Sequence, residues 1–264
     1  LRRRVPALTG GGPKSRLPII GAMVHKEAAT CRHDGVAWGY ARSASTRGVE
    51  IHQHTEVKSL LRDKDGTIKG VETNRGTVLA NKVAVVVSGH TTTITETAGL
   101  RLPIKSFNLA AFVSEPVKPL IDVIVNCPDL GVYLNQSDKG ELVIGGAPDP
   151  GQSFRRDVKQ NVFEEAVVTM LELFPAFRRL KLLRQWGGVL DIAHDATPII
   201  SATDIPGLFV SCGWWGGFKA VPAGGYTLAH LIATGQPHNV AAPFTLDRFH
   251  HLDFIVESGT TTAR

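Results

Sequence analysis

The stretch LFVSCGWWGGFKAVPAGGYTLAHLI, residues 208–232, reads as a strand, a glycine-rich turn and a helix in immediate succession. Leu208, Phe209 and Val210 form a short apolar run of the kind buried on both faces of a sheet. Glycines from Gly213 to Gly217 interrupt it, and Pro222 opens a helix that runs to Thr234 and is stopped by Gly235 and Pro237. Glycine lets backbone come close to a ligand, and the N-terminus of the following helix favours negative charge. Lys219, beside the turn, is a fixed cation suited to a carboxylate. An ordinary surface turn with an exposed lysine has the same sequence. The stretch therefore decides for an α/β fold before it decides for a function.

Working outward, KVAVVVSGH (82–90) is a second apolar strand, and its two apolar faces predict a central place in a sheet covered on both sides. Its end at Gly89 puts backbone amides at a strand's carboxyl edge, where α/β sheets bind ligands. From Val49 the apolar period is two, through VEIHQHTEVKSLL, TIKGVET and TVLANKVAVVV, with Asp65-Gly66 and Arg75-Gly76 as hairpin turns. Before it, Asp34 reads as the N-cap of a helix carrying Val36, Ala37, Tyr40, Ala41 and Ala44 and closed by Gly48. LRRRVP at the start reads as part of a surface helix ending at Pro6, and residues 7–20 as a loop. Downstream, strands are expected over Leu109–Glu115 and Gly131–Gly146, the latter turning at Ser137–Gly140. A helix follows over Val158–Phe174, ended by Pro175, and then strands over Arg184–Ile192 and Gly207–Cys212. The many antiparallel strands give the α/β fold an α+β character.

The 264 residues are 43% hydrophobic and 20% charged, the composition of a globular chain rather than a disordered or fibrous one. The 29 basic and 24 acidic side chains leave a net charge of +5, partly clustered at Arg2, Arg3 and Arg4 and at Arg178, Arg179, Lys181 and Arg184. Neither cluster is interleaved with aromatics, so both read as solvated faces and no nucleic-acid partner is expected. No apolar run reaches the ~18 residues of a membrane span, and no membrane partner is expected. Three widely spaced cysteines, Cys31, Cys127 and Cys212, give no disulfide framework and no zinc pattern, which fits a reducing, cytoplasmic location.

In CRHDGVAWGYA (31–41), His33 precedes the expected cap and stands near a helix N-terminus, where the helix dipole favours a neutral imidazole. Spacing alone makes it a structural or solvated histidine. His52 and His54, at i and i+2 on one face of an expected strand, and the pair His250-His251 lack a third ligand and read as surface residues. The chain contains no G-x-G-x-x-G, P-loop, H-E-x-x-H or G-x-S-x-G.

Five blocks, in order and spacing, resemble the beta subunits of heterotetrameric sarcosine oxidases. They are TCRHDGVAWGYARSA, AGLRLPIKSFNLAAFVSEPVKP, YLNQSDKGELVIGG, LFPAFRRLKLLRQWGGVLDIAHDATPII and GLFVSCGWWGGFKAVPAGG, within Leu17 to Phe249. The resemblance implies the fold of the D-amino-acid-oxidase-like flavoproteins, the FAD-dependent amine-oxidase-like fold. A partial FAD-binding domain is then expected over residues 1–95, an antiparallel-sheet substrate domain over 96–183, and a return to the FAD-binding domain over 184–264. The family's dinucleotide fingerprint precedes the region present here, so the sequence reads as a member lacking its N-terminal segment. The implied activity is oxidation of the C–N bond of sarcosine or a related N-methyl amino acid. Non-covalent FAD would be held by Val57, Gly216, Gly217, Phe218 and Lys219, with Gly89 at the strand edge. FMN would be bound covalently through His33, and Lys219 is the implied catalytic side chain, beside the flavin or the substrate carboxylate. Partners would be a small amino-acid substrate and alpha, gamma and delta subunits. Another amine or imino-acid dehydrogenase, or a non-catalytic subunit of the same fold, are the alternatives. CGWWGGFKA is one residue shorter than the family's CGWGTGGFKA, KEAAT stands where RGGT is usual, and Ser201 replaces a glycine.

Overall fold

A computed structural model describes residues 3–255. In chain order the elements are α1 (His33–Ser45), β1 (Val57–Arg62), β2 (Ile68–Thr73), β3 (Gly76–Leu79), β4 (Val83–Val85), α2 (Thr91–Thr95), β5 (Ile104–Pro116), β6 (Val125–Cys127), β7 (Val132–Gln136) and β8 (Glu141–Gln152). Then come α3 (Gln160–Leu173), β9 (Leu182–Ala193), β10 (Ile199–Ala202), β11 (Leu208–Cys212), α4 (Val221–Thr234) and α5 (Asp247–His250). The strands form sheets ordered β1-β2-β3, β10-β11-β4 and β6-β7-β8-β5-β9. This is the mixed α/β fold expected from the sequence.

Two compact units divide the chain. The first holds residues 1–54, 110–147 and 157–186, and the second holds 55–109, 148–156 and 187–264. The long strands β5, β8 and β9 each carry residues of both units.

In the first unit α3 buries Val162, Ala166, Met170 and Leu173, a stripe at helical spacing. It packs in one core with Ala110, Phe112, Leu134, Leu142 and Ile144. The helix ends at Leu173 because Phe174, the residue before Pro175, is forced out of helical backbone to φ −126°, ψ 70°. The N-terminal reading is corrected here. Leu1 and Arg2 lie outside the described residues, and Arg3 to Pro6 form turns rather than a surface helix. Val5 and Leu8 are buried in this core, and the Gly10 amide donates to the Leu173 carbonyl at 2.9 Å. A Cβ on Gly10 would lie 1.6 Å from the Glu172 carbonyl oxygen, so backbone approaches backbone where only glycine fits. Helix α1 begins two residues earlier than expected, with Arg32 rather than Asp34 as N-cap and Asp34 in its first turn, ion-paired to Arg32 at 2.6 Å. None of its residues is buried.

In the second unit the hairpins turn where expected: Gly66 takes φ +88° and Gly76 φ +115°. The strand expected from Val49 begins only at Val57, so His52 and His54 are not on a strand. Strand β4 departs furthest from expectation. It has three residues, stands at the edge of its sheet beside β11, and leaves Val86 and Val87 about half exposed beyond its end. The fully buried β11 takes the central place, between antiparallel β10 and parallel β4. Strand β5 alternates along its length, with Ile104, Ser106, Asn108, Ala110, Phe112 and Ser114 all on one buried face.

Candidate functional site

Parallel pairing of β4 with β11, Val83 opposite Leu208 through Val85 opposite Val210, brings two carboxyl ends side by side. Beyond β4 the chain turns sharply through Ser88, at φ +50°, into a single 3₁₀ turn and then α2. Gly89 is buried in that turn; a Cβ there would lie 2.3 Å from Val189 Cγ1. The Ser106 hydroxyl donates to the Gly89 carbonyl at 2.6 Å. The Cα side of Gly89 therefore packs closely against β9, where only glycine fits.

Beyond β11, Gly213 (φ +72°) and Gly216 (φ +62°) turn the backbone in the left-handed region. Between them Trp214 folds its indole inward, and its Nε1–H donates to Ser211 Oγ at 3.0 Å. Gly217 and Gly224 make room for that indole: a Cβ on either would lie 2.7 Å from a Trp214 atom. Phe218 and Lys219 are exposed, with Lys219 Nζ donating to the Gly216 carbonyl at 3.2 Å. Gly224→Ala tests this packing. The helix would gain about 1 kcal/mol of propensity, but overpacking costs about 1–3 kcal/mol. The expected outcome is net loss of stability with a changed Trp fluorescence; a more stable protein with unchanged emission would refute it.

Sequence reading missed the group that joins these two ends. Asp191, on β9, is fully buried. Its Oδ1 accepts from Ser88 Oγ at 3.0 Å and its Oδ2 accepts from the Gly213 amide. The only sequence signal was an acidic residue inside the apolar strand GGVLDIA. Beside it, Cys212 is buried at the end of β11, and burial, with the Asp191 charge adding, pushes its thiol far above the ordinary range. That thiol is inert.

Val57 lies at the start of β1 in the same unit, opposite Thr73. His33 lies in the other unit, exposed at the first position of α1. Of the remaining histidines singled out, His52 contacts Glu50 at 3.2 Å. Among the described residues no group of three or more His, Cys, Asp or Glu could hold a metal ion. No helix among them is long and apolar enough to cross a membrane.

The paired strand ends fit a planar, partly apolar ligand such as the flavin implied by the resemblance. Val86, Val87 and Phe218 leave 55%, 46% and 48% of their surface exposed, more than such side chains usually do inside a unit. A Cβ on Gly216 would meet nothing within 4 Å, so its backbone is open to a ligand. His33 fits a tether, because its imidazole is accessible for attachment, but α1 buries nothing that could enclose a ring.

Comparison with known proteins adds the chemistry. The model of the family described as FAD dependent oxidoreductase matches residues 1–231. The sarcosine oxidase subunit beta of Rhodobacter capsulatus is 46% identical over 259 residues, 98% of this chain and 62% of that protein. The subunit of the same name from Rhizobium meliloti is 44% identical over 93% of this chain and 59% of its own. The chain thus spans about three fifths of the length of these relatives. Among solved structures, L-proline dehydrogenase from P. horikoshii aligns with a TM-score of 0.74 at 26% identity, over 82% of this chain and 59% of that one. Glycine oxidase from Geobacillus kaustophilus aligns with a TM-score of 0.72 at 23% identity, over 81% of this chain and 57% of that one, which is a likeness of fold.

Proposed function

Because the chain belongs to the FAD dependent oxidoreductase family, we propose that it is part of a flavoenzyme subunit that oxidises the C–N bond of sarcosine or a related N-methyl amino acid. The observation that carries this reading is the near-full-length likeness of the chain to subunits named sarcosine oxidase subunit beta. FAD, when bound, supplies the acceptor for the substrate's two electrons.

Within that reading we assign the following work to the protein's own residues. The open backbone of Gly216, with Gly217 next to it in the turn and Phe218 beside it, would hold the isoalloxazine, and Val57 the adenine end. Lys219, kept beside the turn by the Gly216 carbonyl, would offer its ammonium to the carboxylate of the amino acid. A charge-assisted contact of that kind orients the substrate more than it activates it. His33 would carry covalent FMN, and its exposure suits a site closed by another subunit. In this reading alpha, gamma and delta chains complete a soluble, cytoplasmic assembly.

Anaerobic titration of the protein in its natural assembly tests the reading. Sarcosine is expected to bleach the flavin absorbance near stoichiometry, whereas proline leaves it unchanged. Bleaching by proline in preference would transfer the reading to an imino-acid dehydrogenase. Protein purified without any flavin would leave a non-catalytic subunit of the same fold.

A further inference from the structure

We propose that Asp191 is a positioning residue for the flavin-binding turns, a role that rests on the flavoenzyme reading above. One side chain makes hydrogen bonds to both strand ends that meet at the site. Ser88 Oγ–H donates to Oδ1 at 3.0 Å, and the Gly213 amide donates to Oδ2. Both donors sit at backbone that needs holding. Ser88 is a non-glycine residue at φ +50°, and Gly213 is at φ +72°. A left-handed serine is strained and persists only where its surroundings over-determine it. The carboxylate supplies that determination, with help from Thr91 Oγ1, which donates to the Ser88 carbonyl at 2.7 Å.

The position of Asp191 is what makes this more than local packing. Its carboxylate is buried, and neither hydrogen-bond partner carries a charge. A buried acid held only by neutral donors is a poor way to stabilise a core. It is a good way to fix two loops relative to each other, since each oxygen accepts from a different loop. The residues so fixed are the start of the 213–217 turn and the turn that holds Gly89. Loss of the carboxylate frees both at once, whereas loss of the Ser88 hydroxyl frees one.

The test uses the protein in its natural assembly, stripped of FAD and titrated with it well below the unfolding temperature of every variant. Asp191→Ala leaves two donors without a partner and is expected to weaken FAD binding by about tenfold or more. Asp191→Asn keeps an acceptor for Gly213 and offers a donor to Ser88 Oγ, and should restore binding to within about threefold of the parent. Ser88→Ala should fall between them. A folded Asp191→Ala variant that binds FAD like the parent overturns the inference, as does an Asn variant no better than Ala. If Ala fails to fold, the Asn and Ser88 variants decide alone: binding lost in neither, or lost equally in both, overturns it. Parent protein that binds no FAD overturns the flavoenzyme reading instead, so the two failures are distinct.

Discussion

Replacing His33 by alanine is expected to remove all flavin that stays with the protein after acid precipitation, and to leave the acid-released flavin in place. The expectation rests on the proposed FMN linkage, which the exposed position of His33 at the first turn of α1 leaves room for. A flavin tethered there by a covalent bond survives denaturation, while one held only by turns such as 213–217 does not. The substitution itself should be almost silent in stability, because His33 is exposed, α1 buries none of its residues, and one helix-terminal residue changes propensity by a few tenths of a kcal/mol. Absorbance of the acid pellet near 450 nm and mass analysis of the His33 peptide measure it. A pellet of the alanine variant as yellow as the parent's would place the linkage elsewhere. A colourless parent pellet with an unmodified His33 would end the tethering role.

The second large effect is expected from Arg248. Its guanidinium is bonded to Asp195 through Nε–Oδ2 at 2.8 Å and Nη2–Oδ1 at 3.0 Å, with both side chains at most 4% exposed. Nη2 also donates to the Thr197 carbonyl at 2.8 Å and Nη1 to the Thr245 carbonyl at 3.1 Å. Burial by itself would push the Asp195 carboxyl up, yet the hydrogen bonds and charge of Arg248, with the amides of Ile255 and Thr197, hold it below the ordinary range. A lowered carboxyl contributes stability that is present above its unfolded value, about 3.9, and is lost as the pH falls through the folded value. The parent should therefore keep this contribution at pH 5 and lose it only in strong acid.

Arg248→Met strands the carboxylate and is expected to cost about 3–5 kcal/mol at pH 7. With the cation gone, burial dominates and Asp195 is raised. A raised carboxyl binds its proton more tightly in the folded state, so the deficit should shrink between pH 7 and pH 5. Urea unfolding at the two pH values checks both statements. A deficit below about 1 kcal/mol, comparable to a surface pair, or one that is the same at both pH values, would show that the pair is not holding the fold.

How much of this was legible in the sequence depended on whether the deciding interactions were local. The turns at Gly66, Gly76 and Ser137–Gly140, the helix ended by Phe174-Pro175 and the cap at Gly235 are fixed by residues within a few positions of one another, and each was found where the sequence put it. Strand β4 was misplaced because its apolar pattern states that it can be buried on two faces, not that neighbours exist to bury it. Residues 49–56 alternate in sequence, but no partner strand pairs with them among the described residues. LRRRVP, mostly charged, reads as surface and residues 7–20 as a loop, and only the distant core of α3 reveals that Val5 and Leu8 are buried. The four residues of β10 are too short a pattern to separate from a loop in sequence. At the site, the glycine turn and Lys219 were visible as a local motif. Asp191 was not, since its meaning comes from donors 103 and 22 residues away.

The indole of Trp214 sets a condition on how this region can change over evolutionary time. Gly217 and Gly224 are bare because the ring lies where their side chains would go. Neither gains a side chain without displacing the tryptophan, and a smaller residue at 214 leaves space beside both glycines. Positions 214, 217 and 224 are thus inherited together or not at all. Among descendants of this chain, drift at any one of them should be accompanied by change at the other two, whereas Gly216, which owes nothing to the ring, is held to glycine by its left-handed backbone.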